Sequence, residues 1–265
     1  MRSALQNMGG GFLRLLSYLG QLGELFLETT LAFFVGKIRP NLVGRQVVNT
    51  GFGSQLVVIV TGAFTGAVFA AQTYFKFSTL GLESAVGPVV SIAMCRELGP
   101  VLTGLMVAGR VGAAMAAEIG TMKVTEQIDA LRSIGVHPLD YLVLPRAAGM
   151  FFSMPLLVAE ATGFGIVASY VITVWGFKVP FAWYDAQIRA FTDLSDIGIG
   201  MIKGFFFGGI IVLVSCHQGL TASNGAVGVG RGTTSAVVIS SLGILIVNFF
   251  LSLLLNYFFP LSAQA

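Results

Sequence analysis

Five apolar stretches, each long enough to cross a bilayer, dominate this chain and leave little choice of fold class. A spanning helix needs about 20 mostly apolar residues, and stretches of that kind cover residues 53–75, 88–119, 147–175, 197–219 and 236–259. In lipid, every backbone N–H and C=O must be bonded within its own segment, so each stretch reads as a helix. Composition agrees: 55% of the 265 residues are hydrophobic, 10% are charged, and mean hydropathy is +0.85. An ordinary soluble domain carries about 25% charged residues. The expectation is an all-α integral membrane protein, with residues 1–50 forming a separate leading part and 51–265 a five-helix transmembrane domain. The small, polar, glycine-rich run over 221–234 reads as the loop between the last two spans.

Orientation follows from the Lys and Arg residues beside each span. With the N-terminus inside, the inner segments hold Arg2, Arg14, Lys37, Arg39, Arg45, Lys123, Arg132, Arg146 and Arg231, and the outer ones hold Lys76, Lys178 and Arg189. Nine against three places the N-terminus in the cytoplasm and the C-terminus outside. The net charge of +3 calls for no nucleic-acid partner. The two cysteines, Cys95 and Cys216, and the two histidines, His137 and His217, have neither disulfide-framework nor metal-ligand spacing. No metal or cofactor is expected.

Within the leading part, Arg14, Ser17, Gln21, Glu24 and Glu28 fall at steps of three and four. They make one polar stripe on an otherwise apolar helix over 12–36. Such a helix suits the membrane–water boundary, its stripe toward water; a tilted extra span is the competing reading. A cleaved signal peptide fits poorly, because charge interrupts the apolar run.

Small residues recur every four positions in three spans: Gly62, Gly66 and Ala70 in the first; Gly104, Ala108, Gly112, Ala116 and Gly120 in the second; Gly200, Gly204 and Gly208 in the fourth. Faces of this kind let helix backbones approach closely in lipid. Packing inside one bundle is favoured over a contact between subunits.

A few charges interrupt the spans. Arg96 and Glu97 open the second, with Arg96 about 36 Å from Gly120 by helical rise, and Lys203 lies near the start of the fourth. Basic groups at that outer depth could hold a lipid phosphate, or could simply snorkel to the headgroup layer. Arg110 and Glu160 lie deeper, about 15 and 20 Å from the inner boundary. Ionisable residues at such depth face the bundle interior and find a partner, so these two are expected to pair.

Between the second and third spans, over about 122–135, Val124, Ile128, Leu131 and Ile134 form an apolar stripe on a short helix. Lys123, Glu126, Asp129 and Arg132 occupy its other faces; Gly135 stops it, and Pro138 keeps it stopped. The helix could be a knob that docks into a cytoplasmic partner, or could rest on the membrane.

The segments Arg96-Glu-Leu-Gly-Pro100, Ala108-Gly-Arg-Val-Gly112, Ala117-Glu-Ile-Gly120 and Glu126-Gln-Ile-Asp-Ala-Leu131, continuing through His137-Pro138 to Pro145-Arg146, closely resemble the MlaE (YrbE) family. These are permeases of MCE-associated ABC transporters of lipids. The resemblance implies a homodimer in the bacterial inner membrane, a cytoplasmic ATPase bound to each copy, and an MCE-domain protein on the outer side. It implies that Glu126, Gln127, Asp129, Leu131 and Arg132 form a coupling helix, and that Arg96, Glu97 and Lys203 lie near a lipid cavity. Tyr74 matches a cavity-lining aromatic. The cargo the resemblance implies is lipid, expected to be phospholipid. Independently, no Gly-x-x-x-x-Gly-Lys-Ser/Thr loop occurs, so nucleotide would be bound by a partner chain. An ion-coupled secondary transporter is the alternative, with Glu160 as its lone candidate ligand. The scattered acids argue against a membrane enzyme.

Overall fold

The computed structural model describes residues 2–35 and 39–259. Gly36 and Lys37, the expected end of the stripe helix and one of the inner charges, lie outside the described residues. Eight helices follow in chain order among those described: α1 (Arg2–Val35), α2 (Pro40–Ser78), α3 (Glu83–Val124), α4 (Gln127–Ser133), α5 (Leu139–Gly176), α6 (Phe181–Phe191), α7 (Leu194–Leu220) and α8 (Gly225–Phe258). Five of them, α2, α3, α5, α7 and α8, are long and apolar enough to cross a membrane. The five expected spans are thus present, each within a longer helix except for Phe259, which lies one residue past the end of α8.

Chain direction alternates along the bundle. Gly62 of α2 abuts the backbone of Ala161 in α5, and Gly66 abuts Gly165, so those two helices run parallel. In α3, Gly104 faces Phe207 and Ile244, Gly112 faces Ser215 and Ile211, and Gly120 faces Ala222 and Val229. The α3 face therefore lies against α7 and α8. On α7, Gly200 meets the carbonyl of Cys95, while Gly204 and Gly208 receive Val158 and Met154 of α5. All three small-residue faces are internal to the bundle, the arrangement favoured from their spacing. The core they enclose contains Val107, Met115, Met154, Leu157, Phe207, Ile211 and Ile244.

One end of the bundle carries α4, the other α6. At the α4 end, α1 packs against the start of α5 and the end of α7, burying Leu25 and Thr29. Gln21 Oε1 lies 3.0 Å from His217 Nε2, and Gln218 donates to Tyr18 at 3.2 Å. The polar stripe of α1 is thus not wholly given to water. Gln21, Glu24 and Glu28 line a groove whose other wall holds Arg132, His137 and His217, while Leu13, Leu16, Leu27, Leu31 and Phe34 point outward.

Two expectations about connections need correction. The run over 221–234 is a loop only up to Asn224, which turns the chain at φ 61°; α8 already starts at Gly225. Residues this small tolerate a helix where it lies against Gly120 and the carbonyl of Gln218, so tertiary packing overrides their turn preference. The second is the connection between α5 and α7, which carries an amphipathic helix, α6, absent from the sequence reading. This helix begins after Pro180, buries Tyr184 between Tyr170 and Ser169, and packs on the start of α3.

Candidate functional site

α3 leaves regular α-geometry twice, in π-helical turns at Met94–Leu98 and Ala108–Gly112. Such turns insert an extra residue, re-aim the side chains around them and occur often at functional sites. The first swings Arg96 and Glu97 toward α7 and α8. The second carries Arg110.

At the first turn, Arg96 is 6% exposed. Its Nε donates to Asp196 Oδ1 at 2.6 Å, and its Nη1 donates to Asn256 Oδ1 at 2.7 Å and to the Phe259 carbonyl at 3.3 Å. Asp196 also closes the start of α7: its Oδ2 accepts from the Asp193 backbone N–H at 2.9 Å in a capping box. The carboxylate therefore ends a helix and neutralises a buried guanidinium at once.

Lys203, 1% exposed, sits one layer deeper. Its Nζ donates to the Arg96 carbonyl at 2.6 Å, to Ser252 Oγ at 2.8 Å and to Glu97 Oε1 at 2.9 Å. Those three acceptors use all the protons of an ammonium. The carbonyl it takes belongs to the π turn, where regular helical bonding is interrupted. Glu97 Oε2 accepts from Asn248 Nδ2 at 3.0 Å, and the Ser252 hydroxyl lies 2.8 Å from Oε1. Asn248, Ser252 and Asn256 recur every four residues, one polar stripe of the otherwise apolar α8. Glu97 is the member that reaches the surface, its side chain 42% exposed.

Arg96, Glu97 and Lys203 are thus brought together, but the two cations are neither snorkelling nor free. Each is buried and its charge is balanced by a carboxylate of this chain. Tyr74 is not part of the cluster. It stacks on Phe177 with centroids 4.1 Å apart, beside the packed group of Ala70, Val86, Val90 and Met94.

The expected pair of Arg110 and Glu160 does not form. Arg110 Nη1 donates to Ser54 Oγ at 2.7 Å, and Glu160 Oε1 accepts from Gln55 Nε2 at 2.8 Å. Both reach the first span from its two sides, since α2 lies between them and offers adjacent polar residues. A different pair links the second and third spans: Arg146 of α5 donates to Glu118 at 2.6 Å and to the Leu142 carbonyl at 2.7 Å. Both residues lie within the motif segments quoted above, and only their proximity was illegible.

At the other end, α4 is oriented by its apolar residues. Ile128 is buried and Leu131 packs on the core, whereas Ile134 is exposed. Leu131, grouped with the docking residues, therefore anchors the helix from beneath. Glu126, in the left-handed conformation at φ 61°, precedes α4. Gly135, at φ 76°, ends it, with Val136 N–H reaching back to the Leu131 carbonyl at 3.0 Å. Glu126, Gln127, Asp129 and Arg132 face outward. Asp129 lies between Arg132 at 3.3 Å and Lys123 at 3.4 Å. Among the described residues, no three His, Cys, Asp or Glu side chains come together as metal ligands.

The geometry combines an exposed, charged knob at one end of a five-span bundle with a neutralised polar cluster at the other. Comparison with known proteins places this combination. The family model described as permease MlaE matches residues 43–254. A protein of Rickettsia conorii named "Probable ABC transporter permease protein" is 45% identical over 219 residues, 81% of this chain and 85% of that one. A Synechocystis protein of the same designation is 37% identical over 254 residues, 96% of this chain and 95% of its own length. The Arabidopsis thaliana chloroplast protein Trigalactosyldiacylglycerol 1 is 40% identical over 234 residues, covering 88% of this chain and 65% of that protein.

Proposed function

This chain belongs to the permease MlaE family, and from that premise we propose that it is the lipid-moving membrane subunit of an ABC transporter. It is a multi-pass membrane protein and a transporter permease subunit. The observation that carries the proposal is the division of polar groups between the two ends of the bundle. ATP hydrolysis belongs to a separate ATPase, since the chain has no phosphate-binding loop. That ATPase grips α4 through Glu126, Gln127, Asp129 and Arg132, with Ile128 and Leu131 transmitting the movement into the core.

The excess of Lys and Arg at the α4 end supports a cytoplasmic N-terminus, and the C-terminus then lies outside the inner membrane. At that outer end, the Arg96–Glu97–Lys203 cluster forms a wall of the lipid site, with Glu97 at its surface. Tyr74 and Phe177 flank a neighbouring apolar region. Phospholipid is the proposed cargo, passed to or from an MCE-domain protein. A relative named after a diacylglycerol lipid supports a lipid cargo. Two copies of the chain assemble, because one five-helix bundle with a filled core offers little room for a two-tailed molecule.

The test is phospholipid transfer from proteoliposomes containing the permease with its ATPase and MCE partner. Transfer that requires ATP and is lost when Asp129 becomes Lys supports the reading. Transfer driven by an ion gradient without ATP overturns it.

A further inference from the structure

At the second π turn of α3, Arg110 opens onto a cavity of about 490 Å³ between α2 and α3. Gln46, Asn49 and Thr50 supply polar groups from α2, and Glu118 closes the end toward α4. Gly53 leaves room for the guanidinium: a Cβ there would lie 2.7 Å from Arg110 Nη2. This groove lies away from the Arg96 cluster, on the same helix but in the other half of the bundle.

Charge and depth together constrain what it holds. Arg110 is 14 residues from Arg96 and 13 from Lys123, about 20 Å along the helix from each. Its level is therefore well inside the hydrocarbon, where an exposed guanidinium is costly without a partner. Among the described residues, that guanidinium makes one hydrogen bond, to Ser54, so most of its five donors are unused. Glu118 does not compensate it, because its carboxylate is held at 2.6 Å by the buried Arg146. The groove thus carries one uncompensated positive charge. It is flanked by exposed Val48 and Phe52, with Leu56 further along α2.

We propose that this α2–α3 groove binds the phosphate-bearing headgroup of a membrane lipid from the leaflet at the α4 end. The phosphate meets Arg110, and the acyl chains run deeper into the bilayer along Phe52 and Leu56. The polar lining lets a headgroup sit below its own headgroup layer without losing all its hydrogen bonds. The site deepens the lipid reading by giving cargo a station in the leaflet opposite the Arg96 cluster. It is tested without ATP or transfer, so its failure is separate from a failure of that reading.

The experiment places a photo-crosslinking amino acid at Asn49, in the groove, or at Phe64, an exposed position further along α2. The full chain with its partner subunits is irradiated in nanodiscs of radiolabelled phosphatidylglycerol and phosphatidylethanolamine. The site predicts phospholipid capture at Asn49 that falls about tenfold in Arg110→Gln, the order expected for losing a charged hydrogen-bond partner. Ala114→Trp, which fills the groove while keeping Arg110, should lower capture similarly. Capture at Phe64 should be unchanged in both variants, which also reports that they fold and insert. Three results would overturn the proposal: Asn49 crosslinking to a second copy of the chain, Asn49 capture insensitive to both variants, or capture abolished by millimolar inorganic phosphate, which would make the ligand a soluble anion.

Discussion

Arg96 and Asp196 are almost completely buried and lie 2.6 Å apart. Removing one member of such a pair strands the other charge in a poorly solvating interior, at a cost of about 3–5 kcal/mol. Arg96→Ala and Asp196→Ala should each lower thermal stability in detergent by that order. The double variant should lose less than the sum, since the second change removes a charge already stranded. Additive losses would mean that the pair is not the unit it looks to be. At this scale the sequence showed which charges were out of place but not how they are satisfied. Arg96, Glu97 and Lys203 stood out because ionisable residues are rare in spans. Their partners Asp196 and Asn256 were not singled out, although Asn248, Ser252 and Asn256 repeat every four residues in an apolar helix, a signal open to periodicity. Arg110 and Glu160 were matched by depth, and depth cannot say which helix stands between two others.

Among elements, the close approach of α2 and α5 rests on glycine. A Cβ on Gly66 would overlap the Gly165 carbonyl, so Gly66→Ala must push two backbones apart and should destabilise by about 1–3 kcal/mol. Gly163→Ala, on α5 with nothing within 4 Å of the added atom, should be neutral or stabilising by up to about 1 kcal/mol through helix propensity. Equal effects of both on the unfolding temperature would contradict this packing. On α4, the ion pairs of Asp129 are exposed and contribute no more than about 1 kcal/mol. Asp129→Lys should therefore leave the unfolding temperature nearly unchanged while reducing ATPase co-purification several-fold. Leu131→Ala, by contrast, should destabilise the permease itself, because Leu131 packs inward. Spans, small faces and the presence of α4 were readable because each rests on a repeated local pattern. The extent of α4 was not: Lys123 and Val124 belong to α3, α4 covers only Gln127–Ser133, and Ile134 is exposed. The start of α8 was not, since glycine-rich sequence is helical there only against α3 and α7. Nor were the π turns of α3, which depend on what packs around them.

At the scale of the molecule, α8 and α2 are the least buried spans, and α8 presents Leu242, Leu245, Ile246, Phe249 and Leu253 outward. Lipid tails or a second copy can cover such a surface. Its polar stripe, however, ties α8 to Glu97 and Arg96, and a movement of α8 would be felt directly by that cluster. Continuous packing joins α4 to that cluster, through Ile128, the end of α3 and the α7 core. In the proposed function, this bundle works as one half of an ATP-driven lipid transporter. Native mass spectrometry of the gently solubilised protein, expressed with its genomic neighbours, tests it most directly. The expected assembly is two permeases with two ATPases and retained phospholipid; a well-folded lone permease carrying neither ATPase nor lipid would overturn the proposed function.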